Sequence, residues 1–283
     1  MSRLAARPAV EGTTFVEVAG LRLRYSIQGR GAPLLLLTGI GANLDMWEPF
    51  RRELEGFETI AVDLPGAGAS ETPLLPLTMR GLAKLSVGLL DVLGYPRASV
   101  LGYSFGGLVA QQLAHLRPDR VERLVLAATG CGWGAIPGNP GAMLNLLTPT
   151  RYYSRGNLEH VGPSLYGGRS RREPEILATL AAARLHRPPT ARGYLWQLLA
   201  TSGWTSLPWL GDLRMPTLVL SGEDDPVVPP VNGRLMASRI PNARFELIPG
   251  GGHLMLLDQA ADLAPLVREF LRQSSDERDD LHV

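Results

Sequence analysis

The sequence predicts an α/β fold in which a mostly parallel sheet is flanked by helices. Apolar runs of strand length alternate with segments of helical spacing along most of the 283 residues, as is typical of parallel strands joined by helices. Residues 33–37 form one continuously apolar run, which is expected for a strand that helices cover on both faces. Glycine-rich loops follow this run and several others, at the kind of position where open α/β sheets bind their ligands.

The composition is that of an ordinary globular chain whose partners are small or uncharged. The chain is 45% hydrophobic, and its 28 Lys and Arg residues balance 27 Asp and Glu residues, so no strong field would attract nucleic acid or an anionic membrane. The single cysteine, Cys131, excludes an internal disulfide framework and a cysteine-cluster metal site. Residues 1–10 lack an apolar stretch long enough for a secretory signal, and no later run approaches the length of a membrane span. We therefore expect a cytoplasmic protein with no nucleic-acid partner and no transmembrane segment.

The first part of the chain is predicted to begin with an antiparallel hairpin. Residues 14–18 and 21–27 flank Gly20, and the second run alternates apolar and polar side chains, so one of its faces should meet solvent. The remaining elements of this part are predicted in order from the same periodicities: strands over residues 33–37, 58–62, 98–101 and 121–127, and helices over residues 44–54, 79–93 (which Gly94 is placed to end) and 107–116.

The alternation breaks after residue 128. Residues 129–210 contain four of the five tryptophans, together with glycines, prolines and short helical patches, but no buried strand run. We therefore predict a helical cap over residues 129–210, inserted in a core made of residues 1–128 and 211–283. The sheet is expected to resume with strands over residues 217–220 and 244–248 and helices over residues 231–240 and 261–272, and the polar residues beyond 273 are expected to fray.

The strongest candidate site is the stretch Gly102-Tyr103-Ser104-Phe105-Gly106, which lies between an apolar run and a helical run. Glycines two residues before and two after a serine allow a turn tight enough to expose the hydroxyl at its tip. The pattern is that of a nucleophile elbow with Ser104 at its apex. A glycine-rich turn with a surface serine would give the same five residues, so the rest of the chain must supply the partners.

A serine nucleophile needs a base, and the base needs an acid that orients it and stabilises its charged form. Among the five histidines, His253 is the candidate base because it follows the last predicted strand, in a glycine-rich loop at the carboxyl edge of the sheet. The other four lie where packing or surface roles are expected: His115, His160, His186 and His282.

Three adjacent carboxylates, Glu223, Asp224 and Asp225, follow the strand predicted over residues 217–220. Asp225 is the preferred acid because Pro226 stiffens the turn directly after it and the spacing from Gly222 lets the chain turn first. Asp224 is the alternative.

Acyl transfer also requires fixed donors for the oxyanion that develops in the transition state. The backbone N–H of Phe105, directly after the serine, should supply one donor. The loop after residue 37 should supply the other, because Gly39 and Gly41 allow close backbone approach and Ile40 offers its N–H.

With these residues in place, the chain resembles the α/β-hydrolases over its whole length, and the order serine, acid, histidine is theirs. More narrowly, it is similar to the intracellular medium-chain-length polyhydroxyalkanoate depolymerases. In that family the matching serine, aspartate and histidine are catalytic, so the resemblance implies the same roles for Ser104, Asp225 and His253. The narrower similarity is carried by residues 39–43, 63–66, 124–129, 166–168, 203–206, 222–229 and 240–243.

The sequence departs from these relatives at two positions. Many hydrolases of this fold carry His-Gly in the loop after the third strand, whereas this chain has Thr38-Gly39. The main-chain donor is retained there, and the usual supporting histidine is lost. In the depolymerases tryptophan often follows the nucleophile, whereas Phe105 stands here, a difference that bears on substrate preference and not on the chemistry.

The expected function is therefore a serine esterase that hydrolyses an aliphatic polyester, or its oligomers, with an aliphatic ester or polyester at a storage-granule surface as partner. Trp196 and Trp204 are candidates, with Trp209, to line an apolar acyl site, although burial in the core of the cap is the expected role for at least two of the three. No cofactor and no metal is implied, since the chain shows neither a spaced His and Asp cluster nor a full dinucleotide fingerprint.

Two alternative functions are compatible with the same sequence features. A small-molecule carboxylesterase, lactonase or acyltransferase would need the same three residues, and a non-catalytic receptor of the same fold would need none of them. Ser104 at the elbow disfavours a dehalogenase or an epoxide hydrolase, which need a carboxylate there, and a polyester synthase, which needs cysteine.

Overall fold

The computed structural model describes residues 13–273, and it is built around one eight-stranded sheet. The fraying predicted beyond residue 273 lies outside the described residues. The strands in chain order are β1 (Thr13–Val18), β2 (Leu21–Gly29), β3 (Ala32–Leu37), β4 (Phe57–Val62), β5 (Ala98–Tyr103), β6 (Val121–Ala127), β7 (Thr217–Gly222) and β8 (Ala243–Ile248).

The strands are arranged across the sheet in the order β1-β2-β4-β3-β5-β6-β7-β8. The hairpin β1–β2 and the pair β2–β4 are antiparallel, and all other neighbours are parallel. The mostly parallel sheet that the sequence predicts is thus confirmed. Because the carboxyl ends of parallel strands meet at one edge, the loops that follow β3, β5, β7 and β8 lie close together there.

Helices connect these strands, and their bounds are as follows: α1 (Glu48–Arg52), α2 (Met79–Leu93), α3 (Phe105–Leu116), α4 (Pro140–Leu146), α5 (Arg155–Tyr166), α6 (Gly168–Arg172), α7 (Pro174–His186), α8 (Ala191–Thr201), α9 (Pro230–Arg239), α10 (Met255–Asp258) and α11 (Ala260–Arg272). Short 3-10 turns occur at Leu44–Trp47, Pro118–Arg120, Thr150–Tyr152 and Leu207–Asp212.

The central strand β3 is apolar throughout because helices cover both faces of the sheet. Leu35 and Leu37 pack in a core with residues of α2, α3 and α9, whereas Leu34 and Leu36 pack in a second core with residues of α1, α10 and α11. All four side chains have no exposed surface. Burying a leucine contributes about 1.5–3 kcal/mol relative to leaving it in water, so these residues anchor the strand that leads into the candidate oxyanion loop.

Helix α2 has the bounds that the sequence predicts. Thr78 Oγ1 accepts a hydrogen bond from the Gly81 N–H, and Gly94 ends the helix with φ 68°, a left-handed conformation that glycine adopts readily. The helix predicted over residues 44–54 is wrong in length. The Asn43 side chain accepts from the Asp45 N–H and starts a 3-10 turn, and the α-helix begins only at α1 with proline in its first turn.

Between β6 and β7 the chain leaves the sheet for five helices, α4 to α8, within the predicted cap, residues 129–210, which we call the cap. The domain boundaries themselves stay a prediction. The cap approaches the core closely where α8 crosses the loop after β4. A Cβ on Gly66 would lie 2.4 Å from Gly193 Cα, and one on Gly193 would lie 2.3 Å from the Gly66 oxygen, so the two backbones touch. Within residues 13–273, every helix is too short or too polar to cross a bilayer.

Candidate active site

Ser104 occupies the sharp turn between β5 and α3, in a strained backbone conformation with φ 53° and ψ −117°. The flanking glycines make this turn possible. A Cβ on Gly102 would lie 2.5 Å from the Gly106 oxygen, and one on Gly106 would lie 2.1 Å from the Leu37 oxygen. Neighbouring β6 supports the turn, because the Ser104 N–H donates to the Ala127 oxygen at 2.9 Å.

The structure brings the three sequence-predicted side chains into one hydrogen-bonded series. His253 Nε2 lies 3.0 Å from Ser104 Oγ, and His253 Nδ1 lies 2.8 Å from Asp225 Oδ2. The imidazole is 5% exposed and the carboxylate is fully buried. An ionised carboxylate can only accept, so Nδ1–H donates to Asp225 and Nε2 is left to accept from the serine hydroxyl.

Asp225, and not the neighbouring Asp224, faces the imidazole. Its other oxygen, Oδ1, accepts from the N–H groups of Val227 at 2.8 Å and Val228 at 2.9 Å, which hold the carboxylate in its turn. Asp224 is exposed and pairs with Arg172 at 3.4 Å. The rigid turn at Pro226 therefore presents Asp225, as the spacing of the residues suggests.

Two tyrosines that the sequence analysis missed hold the main chain of His253. The His253 N–H donates to the Tyr166 oxygen at 2.7 Å, and the Tyr103 hydroxyl donates to the His253 oxygen at 2.6 Å. Burial raises the pKa of Tyr103 well above its ordinary value, so its hydroxyl remains a donor. Tyr103 lies in the elbow stretch, and Tyr166 lies in residues 166–168, which carry part of the family similarity. No rule of residue spacing predicts that either residue forms a hydrogen bond with a distant segment of the chain.

The turn after Tyr166 lies against both loops that carry the acid and the histidine. Gly167 and Gly168 have φ 61° and 53°. A Cβ on Gly167 would lie 2.2 Å from the Asp224 oxygen, and one on Gly168 would lie 2.2 Å from the Gly252 nitrogen. Glycine is required at both positions because the backbone is in a left-handed conformation and because a side chain would overlap the neighbouring backbone. The cap therefore packs directly on the backbone of the candidate site.

The loop after β3 lies beside the elbow, since a Cβ on Gly39 would lie 3.4 Å from Ser104 Cβ. Within residues 13–273 the structure gives no hydrogen-bond acceptor to the N–H of Ile40 or to that of Phe105, the first residue of α3. The Gly41 N–H, by contrast, donates to Gln197 Oε1 at 2.8 Å.

Trp196 and Trp204 make contacts between the cap and the core. Trp196 Nε1 donates to the Pro73 oxygen at 3.1 Å, and Trp204 Nε1 donates to Gln112 Oε1 on α3 at 2.8 Å. Trp204 also borders a surface groove of about 440 Å³ together with Leu77, which precedes α2, and with residues of α2 and α8. These contacts give both tryptophans a packing role, and substrate contact stays a prediction. Within the described part of the chain, no three His, Cys, Asp or Glu side chains form a group that could hold a metal ion.

Comparisons with known proteins show which family the chain resembles. The family model of the alpha/beta hydrolase fold matches residues 32–260. A poly(3-hydroxyalkanoate) depolymerase from Ectopseudomonas oleovorans is 46% identical over 242 residues, which are 85% of this chain and 84% of that protein. A 2-hydroxy-6-oxo-6-phenylhexa-2,4-dienoate hydrolase from Burkholderia cepacia is 27% identical over 90% of this chain and 92% of its own length.

Among solved structures, the enol-lactonase from Burkholderia xenovorans LB400 superposes with a TM-score of 0.80 at 29% identity, and the match covers 92% of this chain and 100% of that one. The superposition extends over sheet and cap alike, as the coverage requires. On the family match, the sequence similarity and the eight-stranded sheet together, the chain belongs to the α/β hydrolase fold family.

Proposed function

We propose that this α/β hydrolase is a serine esterase that works through an acyl-enzyme on Ser104. The observation that carries the proposal is the hydrogen-bonded series from Asp225 through His253 to Ser104, with distances of 2.8 and 3.0 Å. A serine hydroxyl becomes a nucleophile when a base within this reach takes its proton, and the buried carboxylate stabilises the imidazolium that results.

In the proposed reaction, Ser104 Oγ attacks the ester carbonyl carbon while His253 Nε2 takes the hydroxyl proton. The tetrahedral intermediate collapses, the bond to the alcohol oxygen breaks, and the imidazolium gives its proton to the departing alkoxide. Water then attacks the acyl-enzyme, with His253 again as base, and the acid leaves as Ser104 is restored.

The N–H groups of Ile40 and Phe105 are the proposed donors to the oxyanion. Both belong to segments that adjoin Ser104, and neither has an acceptor within the described residues. Removing one such donor typically lowers kcat by about 10²–10³ fold. Gly41 cannot serve in the same way, because its N–H already donates to Gln197.

The proposed substrate is an aliphatic polyester of the polyhydroxyalkanoate class, or its oligomers. The proposal is supported by the 46% identity to a poly(3-hydroxyalkanoate) depolymerase over most of both chains. The cap also exposes apolar side chains that suit a water-insoluble substrate such as the surface of a storage granule: Trp133 is 76% exposed, Leu144 is 67% exposed and Leu147 is 61% exposed.

A soluble ester or lactone is the second candidate substrate. It is favoured by the enol-lactonase, whose entire chain superposes on this one with a TM-score of 0.80. The same acyl-enzyme would serve acyl transfer if an alcohol replaced water in the second step.

A direct comparison of substrates tests the proposal. Purified protein is offered a turbid suspension of medium-chain poly(3-hydroxyalkanoate) and, separately, a panel of soluble lactones, with Ser104→Ala as the matched control. We expect the wild-type protein to clear the suspension and release hydroxy acids, and the variant to do neither. Lactone hydrolysis without clearing would replace the polyester with the second candidate.

A further inference from the structure

We propose that Tyr152 and Gln197, two buried residues of the cap, are positioning residues for the oxyanion donor at Ile40. The inference rests on the proposed function and adds a specific role for the cap in it. Both side chains hydrogen-bond the same peptide unit, the one that joins Ile40 to Gly41, and they do so from opposite ends.

The geometry of that peptide unit carries the argument. The Tyr152 hydroxyl donates to the Ile40 oxygen at 2.6 Å, and the Gly41 N–H donates to Gln197 Oε1 at 2.8 Å. A peptide unit is planar and rigid, so bonds at its two ends fix its rotation about the chain. On its other side, the Gly39 oxygen accepts from the Ala42 N–H at 3.1 Å. The Ile40 N–H belongs to the preceding peptide unit, whose carbonyl is this Gly39 oxygen, so the bonds of the two adjoining units together fix the direction of the Ile40 N–H.

Gln197 is itself held in one orientation. Its Nε2 donates to the Pro65 oxygen at 3.0 Å, which assigns Oε1 as the atom that accepts from Gly41. The side chain is 2% exposed. An amide with both ends bonded and no access to water cannot turn away from the loop without leaving a buried donor or acceptor unpaired.

Tyr152 is held by two cations. The guanidinium groups of Arg151 and Arg184 lie 4.7 and 5.3 Å from the centre of its ring, and the residue is 3% exposed. Burial raises the pKa of Tyr152 although the arginines oppose this, so the hydroxyl keeps the proton that it donates to Ile40. The hydroxyl therefore stays a donor at neutral pH.

The two rings that face the loop also require glycine at position 41. Gly41 has φ 68°, and a Cβ there would lie 2.7 Å from Tyr194 Cδ2 and 3.0 Å from Tyr152 Cε2. The cap thus packs on the loop backbone as well as bonding to it. The donor at Ile40 is therefore held in place only when Tyr152, which precedes α5, and Gln197, which lies on α8, both bond to the loop.

The neighbouring tyrosine provides a matched control. The Tyr153 hydroxyl donates to the Pro189 oxygen at 2.7 Å, so Tyr152→Phe and Tyr153→Phe each remove one tyrosine-to-carbonyl bond, but only the first bond ends on the oxyanion loop. We expect Tyr152→Phe to lower kcat on p-nitrophenyl butyrate about tenfold with KM nearly unchanged, and Tyr153→Phe to behave as the wild type. Gln197→Met tests the same peptide unit from its other end, and the double variant should approach the loss of a whole donor, about 10²–10³ fold.

Binding of a trifluoromethyl ketone separates positioning from a merely structural role, because its adduct with the serine carries the oxyanion. Its inhibition constant should rise in Tyr152→Phe and Gln197→Met by the same factor by which kcat/KM falls. Equal behaviour of Tyr152→Phe and Tyr153→Phe, or loss of activity with inhibitor affinity unchanged in the two loop-directed variants, would overturn the inference. A wild-type protein without esterase activity, or full activity in Ser104→Ala, would instead contradict the proposed function.

Discussion

The main-chain N–H of His253 donates to the carbonyl oxygen of Tyr166 across 2.7 Å. Tyr166 ends α5 in the cap, and His253 lies in the loop after β8, so the bond joins the cap to the candidate base. The following residue, Gly167, touches the loop of the candidate acid. The cap is therefore part of the framework that holds the candidate site in place. The predictions that follow test the site and this framework.

Ser104→Ala should abolish turnover and leave the fold intact, because it removes the nucleophile and little more than one oxygen atom of volume. A residual acceleration of about 10³–10⁴ over water is what the oxyanion site and substrate binding alone supply in other serine hydrolases. The measurement is kcat/KM on p-nitrophenyl butyrate, with the melting temperature as control. A serine-directed phosphonate should label the wild-type protein at Ser104 only, and labelling elsewhere would count against the assignment.

Asp225→Asn should lower kcat by about 10⁴, as loss of the orienting acid does in serine hydrolases, because the imidazole would be left in the wrong tautomer. Asp224→Asn is the matched control, since it removes only the exposed pair with Arg172. Pairs of that kind contribute about 0–1 kcal/mol to stability. The reverse ranking of the two variants would move the acid to position 224.

The sequence could indicate these residues because their backbone requirements leave a visible pattern. Gly102 and Gly106 are needed where the elbow touches its neighbours, and Pro226 stiffens the turn that presents Asp225. The three loops are predicted to lie close together because the carboxyl ends of parallel strands are at the same edge of the sheet. A serine, an acid and a histidine far apart in the chain could therefore be expected at one edge of the sheet.

The contacts between cap and core could not be predicted in this way. Tyr152 donates one hydrogen bond to a main-chain carbonyl of the core, and Gln197 bonds two main-chain groups of the core. Tyr103 links two distant segments within the core in the same way. Such bonds depend on which distant segments lie next to each other in the fold. Neither the periodicity of apolar residues nor a local motif predicts that arrangement. The short helix α10 was missed for a related reason, because four residues are too few to show helical spacing.

Gly168→Ala should disturb the loop of the candidate base. Its backbone has φ 53°, and the added Cβ would lie 2.2 Å from the Gly252 nitrogen, next to His253. A displacement of about 1 Å in a catalytic group can cost about 10²-fold in rate, and we expect a loss of that order in kcat. Gly156→Ala on α5 is the control, because a Cβ there meets open space. It should keep full activity and gain up to about 1 kcal/mol in the free energy of unfolding. Equal activity of both variants would show that the Gly168 contact does not hold the loop.

Specificity should rise with acyl length if the cap binds an aliphatic chain. Each methylene that becomes buried contributes about 0.8 kcal/mol, or about fourfold. We therefore expect kcat/KM on p-nitrophenyl esters to increase from acetate to a medium-length acyl group. If acetate is the best substrate and the polyester suspension stays turbid, the small-ester alternative takes the place of the depolymerase.

Asp258, at the end of α10, should make the protein less stable as the pH rises. Burial raises its pKa to about 6, although Arg169 opposes the shift. The folded state then binds a proton more tightly than the unfolded state, so the stabilisation is complete below the unfolded pKa and is lost as the pH passes through about 6. Asp258→Asn, which stays uncharged, should raise Tm relative to the wild type at about pH 8 and have little effect near pH 4. An equal Tm difference at both pH values would rule out ionisation of Asp258 as the cause.

The contact between Gly66 and Gly193 sets a condition for exchanging caps between enzymes of this family. Because a Cβ on either residue would overlap the backbone of the other, a grafted cap with a larger residue at position 193 must stand further from the core. Gln197 lies about one turn along the same helix and would move with it, away from the Gly41 N–H that it accepts from. On the role that we infer for Gln197, a hybrid enzyme would keep its serine, aspartate and histidine but lose one of the bonds that hold the peptide unit between Ile40 and Gly41, so glycine at positions 66 and 193 is a condition for a working graft.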